Sequence, residues 1–203
     1  MKIGILDYNA CNLKSVFNSI YRQGYDPIVV KDYEQFGEID KLVIPGVGSA
    51  NQAIKYMNKN GLTKGINELL LKEIPILGIC LGMQIFAKKL YEGGLINGIG
   101  YIDAEIQALN KNKISRIGWY KNKIEHNLSN KLLLDKSKSF YFCHAYYFKN
   151  FSYNDKKYCL GFVDQDKAVP SIIIKNKFIG TQFHPEKSQE NGTKILNLFL
   201  ERF

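Results

Sequence analysis

Residues 76–84, Ile-Leu-Gly-Ile-Cys-Leu-Gly-Met-Gln, limit the architecture of this chain more than any other stretch. A short apolar run stops at Cys80, with Gly78 two places before it and Gly82 two places after it. The pattern predicts a buried strand that turns sharply and enters a helix, with a thiol at the corner. Such an elbow lifts the sulfur above the sheet edge, beside backbone N–H groups and the positive end of the new helix. Those surroundings favour a thiolate and can hold an oxyanion. Gly78-Ile79-Cys80-Leu81-Gly82 is the cysteine counterpart of the G-x-S-x-G elbow of serine hydrolases.

The stretch before the elbow repeats the same grammar. Ile3 to Asp7, Pro27 to Val30 and Lys41 to Ile44 read as short apolar strands. Between and after them, Leu13, Val16, Phe17 and Ile20 mark one helix face, and Ala50 to Asn58 and Leu62 to Lys72 read as two more helices. Alternating strand and helix predicts an α/β fold, a three-layer sandwich with a mostly parallel central sheet and helices on both faces. From about Tyr101 the rhythm changes. Lysine pairs (Lys111/Lys113, Lys121/Lys123, Lys136/Lys138) punctuate strand-like runs, Ser139 to Phe148 reads as one aromatic strand, and Tyr158–Val163, Val169–Lys175 and Lys177–Phe183 follow as a meander. Asn176 suggests a tight turn within it. A last helix is expected from Gly192, carrying Ile195, Leu198 and Phe199 inward. The second half therefore adds antiparallel strands, and residues 1–203 form a single domain.

A cysteine nucleophile needs a base, and the base needs an acceptor to hold its tautomer. Phe-Ile-Gly-Thr-Gln-Phe-His-Pro-Glu at 178–186 offers both, His184 as base and Glu186 as orienting carboxylate, with Pro185 stiffening the link. The chain has three histidines, so few other bases compete.

Composition excludes several other classes. The net charge is +9, but only Arg22, Arg116 and Arg202 are arginines and the lysines are spread along the chain, so no nucleic-acid patch is expected. No apolar run reaches the ~20 residues of a membrane span. Cys11, Cys80, Cys143 and Cys159 are far apart with no Cys-x-x-Cys pair, which argues against a zinc site or a disulfide framework and for a cytoplasmic protein.

Pro45-Gly46-Val47-Gly48 ends the third strand and cannot be a phosphate loop, because no Gly-Lys-Ser/Thr follows. At the carboxyl edge of the sheet it would face Cys80, and an N–H from Val47 or Gly48 could join that of Leu81 in an oxyanion hole. Taken together, Leu-Gly-Ile-Cys-Leu-Gly-Met-Gln, Pro-Gly-Val-Gly, Asp7-Tyr8-Asn9 and His-Pro-Glu-Lys-Ser-Gln resemble the class I (triad-type) glutamine amidotransferases. Within that class they resemble the glutaminase subunits of imidazole glycerol phosphate synthase. The resemblance covers essentially the whole chain. It implies a flavodoxin-like sheet, no cofactor and no metal, and hydrolysis of glutamine by Cys80, His184 and Glu186. It also implies that Gln84, with the backbone of Val47, Gly48 and Leu81, holds substrate and oxyanion, and that His144, Ala145 and Tyr146 line the glutamine pocket. A separate (β/α)8-barrel cyclase is the implied partner. It would take the ammonia to make imidazole glycerol phosphate and aminoimidazole carboxamide ribotide in histidine biosynthesis.

Two departures stand out. Ser115-Arg116-Ile117-Gly118-Trp119-Tyr120 replaces the family's common Pro-His-hydrophobic-Gly-Trp-Asn, and Ala145 stands where serine is usual. Neither touches the triad. A paralogue supplying ammonia for amidino-sugar synthesis is the alternative reading.

Overall fold

A computed structural model describes residues 1–9, 12–110, 112, 115–124, 137–149, 159–163 and 166–203. Its elements are, in order, β1 (Ile3–Leu6), α1 (Leu13–Tyr21), β2 (Ile28–Val30), β3 (Lys41–Ile44), α2 (Ala50–Lys59), α3 (Leu62–Leu71) and β4 (Ile76–Ile79). The single turn α4 (Leu81–Gln84), then β5 (Ala87–Leu90), β6 (Ile96–Asn97) and β7 (Ile102–Ala108) follow. The remainder is β8 (Arg116–Ile124), β9 (Ser137–His144), β10 (Tyr146–Lys149), β11 (Cys159–Val163), β12 (Asp166–Lys175), β13 (Phe178–Thr181) and α5 (Gln189–Arg202). Cys11, Lys111, Lys113, Lys136 and Tyr158, named above, lie outside the described residues.

One sheet dominates, in the order β2-β1-β3-β4-β13-β12-β11-β8-β9. The first five strands run parallel, and β12, β11, β8 and β9 extend them antiparallel. Strand alternation builds two cores. Leu42, Ile44 and Ile76 pack on one face with Ala53, Met57 and Ile66 from α2 and α3. Ile3, Ile5, Val43, Leu77 and Ile79 pack on the other with Val16 and Ile20 of α1 and Ile195 and Phe199 of α5. The α/β sandwich expected from the alternation is the one found. A smaller sheet, β10-β7-β5-β6, lies against the first core.

The helix expected after Cys80 is present and is one turn long. Met83, Ile85, Phe86 and Ala87 are all fully buried, so the segment has no polar face for a longer amphipathic helix and passes into β5. Two local expectations are corrected. The aromatic run at 139–148 is two strands, broken at Ala145. Phe142 and Phe148 have the same parity, yet Phe142 belongs to the core under α5 and Phe148 to the core under α2, which one straight strand cannot do. The last helix begins at Gln189, three residues before the glycine expected to start it. The β11–β12–β13 meander and its turn at Asn176, with φ of 51°, match the expectation.

Candidate active site

The elbow is built by close approach of three backbones. A Cβ on Gly82 would collide with the Ile44 carbonyl, and one on Gly46 would collide with the Gly82 nitrogen, so both positions require glycine. Buried Tyr8 holds the β3 loop from below, its hydroxyl donating to the Pro45 carbonyl at 2.5 Å. Cys80 itself takes φ 53° and ψ −108°, a strained conformation for a side-chain-bearing residue that costs about 1–3 kcal/mol. Its N–H donates to the Thr181 carbonyl at 2.7 Å, and its own carbonyl accepts from Met83 at 3.0 Å and Gln84 at 3.1 Å. The N–H groups of Leu81 and Gly82 open this helix, with no carbonyl four residues back inside it.

β4 and β13 are parallel neighbours with Ile79 beside Thr181. That register carries the segment after β13 past the elbow and brings His184 to Cys80. His184 Nδ1 donates to Glu186 Oε1 at 2.8 Å, and both side chains are buried. The turn is clamped to β9: His184 N–H donates to the Tyr141 carbonyl at 2.9 Å. Ser188 Oγ donates to the His184 carbonyl at 2.6 Å and accepts the Tyr141 N–H at 2.9 Å. Burial pulls the His184 pKa down, but the hydrogen bonds and charges of Cys80 and Glu186 outweigh it and push it up to about 10. The ring is therefore an imidazolium facing a sulfur, with Nε2 making no other hydrogen bond among the described residues.

A cavity of about 230 Å³ opens beside Cys80. Val47, Gly48, Leu81, Gln84, His144, Ala145 and Tyr146, all seven pocket residues expected from sequence, line it. His184 and Glu186 are not among the residues that line it. His144 Nδ1 donates to the Tyr146 carbonyl at 2.8 Å. Burial drives its pKa down to about 4; the Tyr146 bond resists, while the charges of Arg116 and His184 add to the fall, so this ring is neutral.

Sequence reasoning missed Ser115 and Cys143, which also line the cavity, and two residues with direct polar contacts at the site. Glu92 lines the cavity, its Oε2 accepting the Ala50 N–H at the start of α2 at 2.7 Å. Gln182, fully buried, has Nε2 3.6 Å from Cys80 Sγ. No spacing signal marks Glu92, whereas Gln182 stood in plain view two places before His184. A larger cavity of about 420 Å³, lined by Glu73, Asn176 and Arg202 among others, lies at the opposite, amino edge of the sheet, away from Cys80 and His184. Among the described residues no cluster of side chains could hold a metal, and no helix is long and apolar enough to cross a membrane.

A thiol on an elbow, backed by an imidazole and a carboxylate and opening on a small cavity, is the chemistry of amide transfer through a thioester. The chain belongs to the class-I glutamine amidotransferases, matching that family over residues 4–203. It is 36% identical over 200 residues to the imidazole glycerol phosphate synthase subunit HisH of Caldanaerobacter subterraneus, covering 98% of this chain and 97% of the relative. It is 36% identical over 201 residues to the subunit of the same name in Lactococcus lactis, covering 98% of each. Among solved structures, a glutamine amidotransferase superposes with TM-score 0.75 at 17% identity, over 98% of this chain and 97% of that one. PurLQS of Thermotoga maritima superposes with TM-score 0.75 at 15% identity and the same coverage. These two share the fold.

Proposed function

We propose that this chain, as one domain over residues 1–203, is the cytoplasmic glutaminase subunit of an imidazole glycerol phosphate synthase. One observation carries the reading: Cys80, His184 and Glu186 converge beside a cavity lined by all seven residues expected to hold glutamine. The relatives' names point the same way.

In this mechanism Cys80 Sγ attacks the side-chain amide carbon of glutamine, and the oxyanion is held by the N–H of Leu81 with Val47 or Gly48. The C–N bond breaks as His184 gives its proton to the leaving nitrogen, releasing ammonia and leaving a glutamyl thioester. Water, deprotonated by His184, then releases glutamate and restores the thiolate. Gln84 has both amide N–H bonds committed, to the Tyr146 carbonyl at 2.8 Å and to Gln182 Oε1 at 3.0 Å, so it offers the cavity only its oxygen. That oxygen and the Glu92 carboxylate suit the α-ammonium of glutamine.

Ammonia released into water at neutral pH would mostly become unreactive ammonium, so a partner must receive it directly. The proposed partner is a (β/α)8-barrel cyclase. Ile117 and Trp119 on β8 are 60% and 48% exposed, and Cys143, opposite Ile117 on β9, reaches the cavity rim. Exposed apolar groups beside a site suit protein docking. Arg116 and Tyr120 have the other parity: the guanidinium lies 5.4 Å over the Tyr120 ring, which packs edge-on against Phe142. The departures from the family pattern thus sit mainly beneath the docking face.

The test is Cys80→Ala in the complex with the cyclase. Glutamine-dependent product should vanish while ammonia-dependent product persists; loss of both overturns the assignment. Activation by an amidino-sugar enzyme and not by the cyclase would overturn the choice of partner.

A further inference from the structure

Gln182 takes no part in the chemistry above, yet it touches the reacting sulfur. Because Ile79 and Thr181 are paired in parallel register, the residues after them, Cys80 and Gln182, leave the sheet side by side. The Gln182 main chain is held to β12 by its N–H, which donates to the Ser171 carbonyl at 2.9 Å. Its side chain is fully buried and does not line the cavity.

The orientation of this amide is set from a distance. The Tyr146 carbonyl can only accept, so Gln84 must turn its NH₂ group toward it, at 2.8 Å. The second N–H of that group goes to Gln182 at 3.0 Å, so Gln182 must present its oxygen there. Only its NH₂ is left for Cys80 Sγ, 3.6 Å away. A chain that begins on a backbone acceptor therefore ends as a donor on the sulfur. A donor N–H bonds an anion more strongly than a neutral acceptor, and a buried chain polarises along its length.

We propose that Gln182 is a positioning residue that holds the Cys80 sulfur and stabilises its anionic form, with Gln84 and the Tyr146 carbonyl fixing the direction of its amide. The inference rests on Cys80 being the glutaminase nucleophile. The ionisable groups around that sulfur are His184, backed by Glu186, and His144, beside Arg116. Unlike them, Gln182 is neutral, and its contribution does not titrate.

The experiment is the pH dependence of iodoacetamide labelling in the full-length chain, with the labelled cysteine located by peptide mass spectrometry. Gln182→Met keeps the length and removes the donor. It should move the midpoint of Cys80 labelling up by about one pH unit, about tenfold slower labelling below the midpoint. Gln182→Glu, which offers oxygen to the sulfur, should move it further. Gln182→Met decides the matter if Gln182→Glu does not fold. A side chain that merely fills space would leave the midpoint in place, and an unmoved midpoint in folded Gln182→Met overturns this inference alone. No labelling at Cys80 in the parent chain overturns the glutaminase reading as well.

Discussion

Two segments meet at the site, the turn after β13 and the end of β9, and each contributes one buried histidine. Both rings use Nδ1 to reach an oxygen at 2.8 Å. Their shifts are opposite, so one ring is charged and the other neutral: His184 is pushed up to about 10 and His144 down to about 4. Burial penalises the imidazolium in both places. At His184 the Cys80 sulfur and the Glu186 carboxylate outweigh that penalty, whereas at His144 a backbone carbonyl cannot, and the Arg116 charge adds to it. Hydrogen-bond geometry is therefore shared by the two segments, and the charge of the partner decides which ring can move protons.

The strongest way to break the contrast is His184→Gln, which removes the proton carrier. Glutaminase kcat in the partnered enzyme should fall by about 10³–10⁴-fold, with KM for glutamine little changed, as steady-state kinetics will show. Glu186→Gln should be milder, about 10²-fold in kcat, because the ring stays but loses its carboxylate. NMR titration of the His184 ring should then show its pKa fall from about 10 toward the neutral behaviour of His144.

The smallest effects are on stability, and their signs differ. Between pH 6.5 and about 10 the folded chain keeps a proton on His184 that the unfolded chain has released. That stabilisation is complete below 6.5 and is lost as pH rises through about 10. His144 acts in reverse: between about 4 and 6.5 only the unfolded chain holds the proton, so stability is lost as pH falls through that window. His144→Gln should flatten the acid limb of urea midpoint against pH and leave the alkaline limb unchanged. An altered alkaline limb would show that the two rings are not independent.

Much of this was legible beforehand. Apolar runs alternating with helical periods announced β1 to β4 and the helices on both faces, because each such segment states its own burial pattern. Gly78 and Gly82 around Cys80 announced the elbow, since only glycine tolerates the Ile44 and Gly82 backbones so close. The break at Ala145 was not legible, because the aromatic run is equally good β sequence on both sides of it. What divides it is the presence of two separate cores, and that is a property of the assembled layers. Glu92 was invisible for the same reason: its neighbour Ala50 is 42 residues away in sequence.

By itself, then, the sequence determined the sheet, the elbow and the identities of the residues around the sulfur, because those depend on local patterning and steric limits. Tertiary structure alone decided which histidine is charged, which way the Gln84 and Gln182 amides point, and that Ile117 and Trp119 face outward while Arg116 and Tyr120 face in. Burial, electrostatic partners and hydrogen-bond polarity arise only when distant segments meet, and in this molecule they meet at the carboxyl ends of β3, β4 and β13.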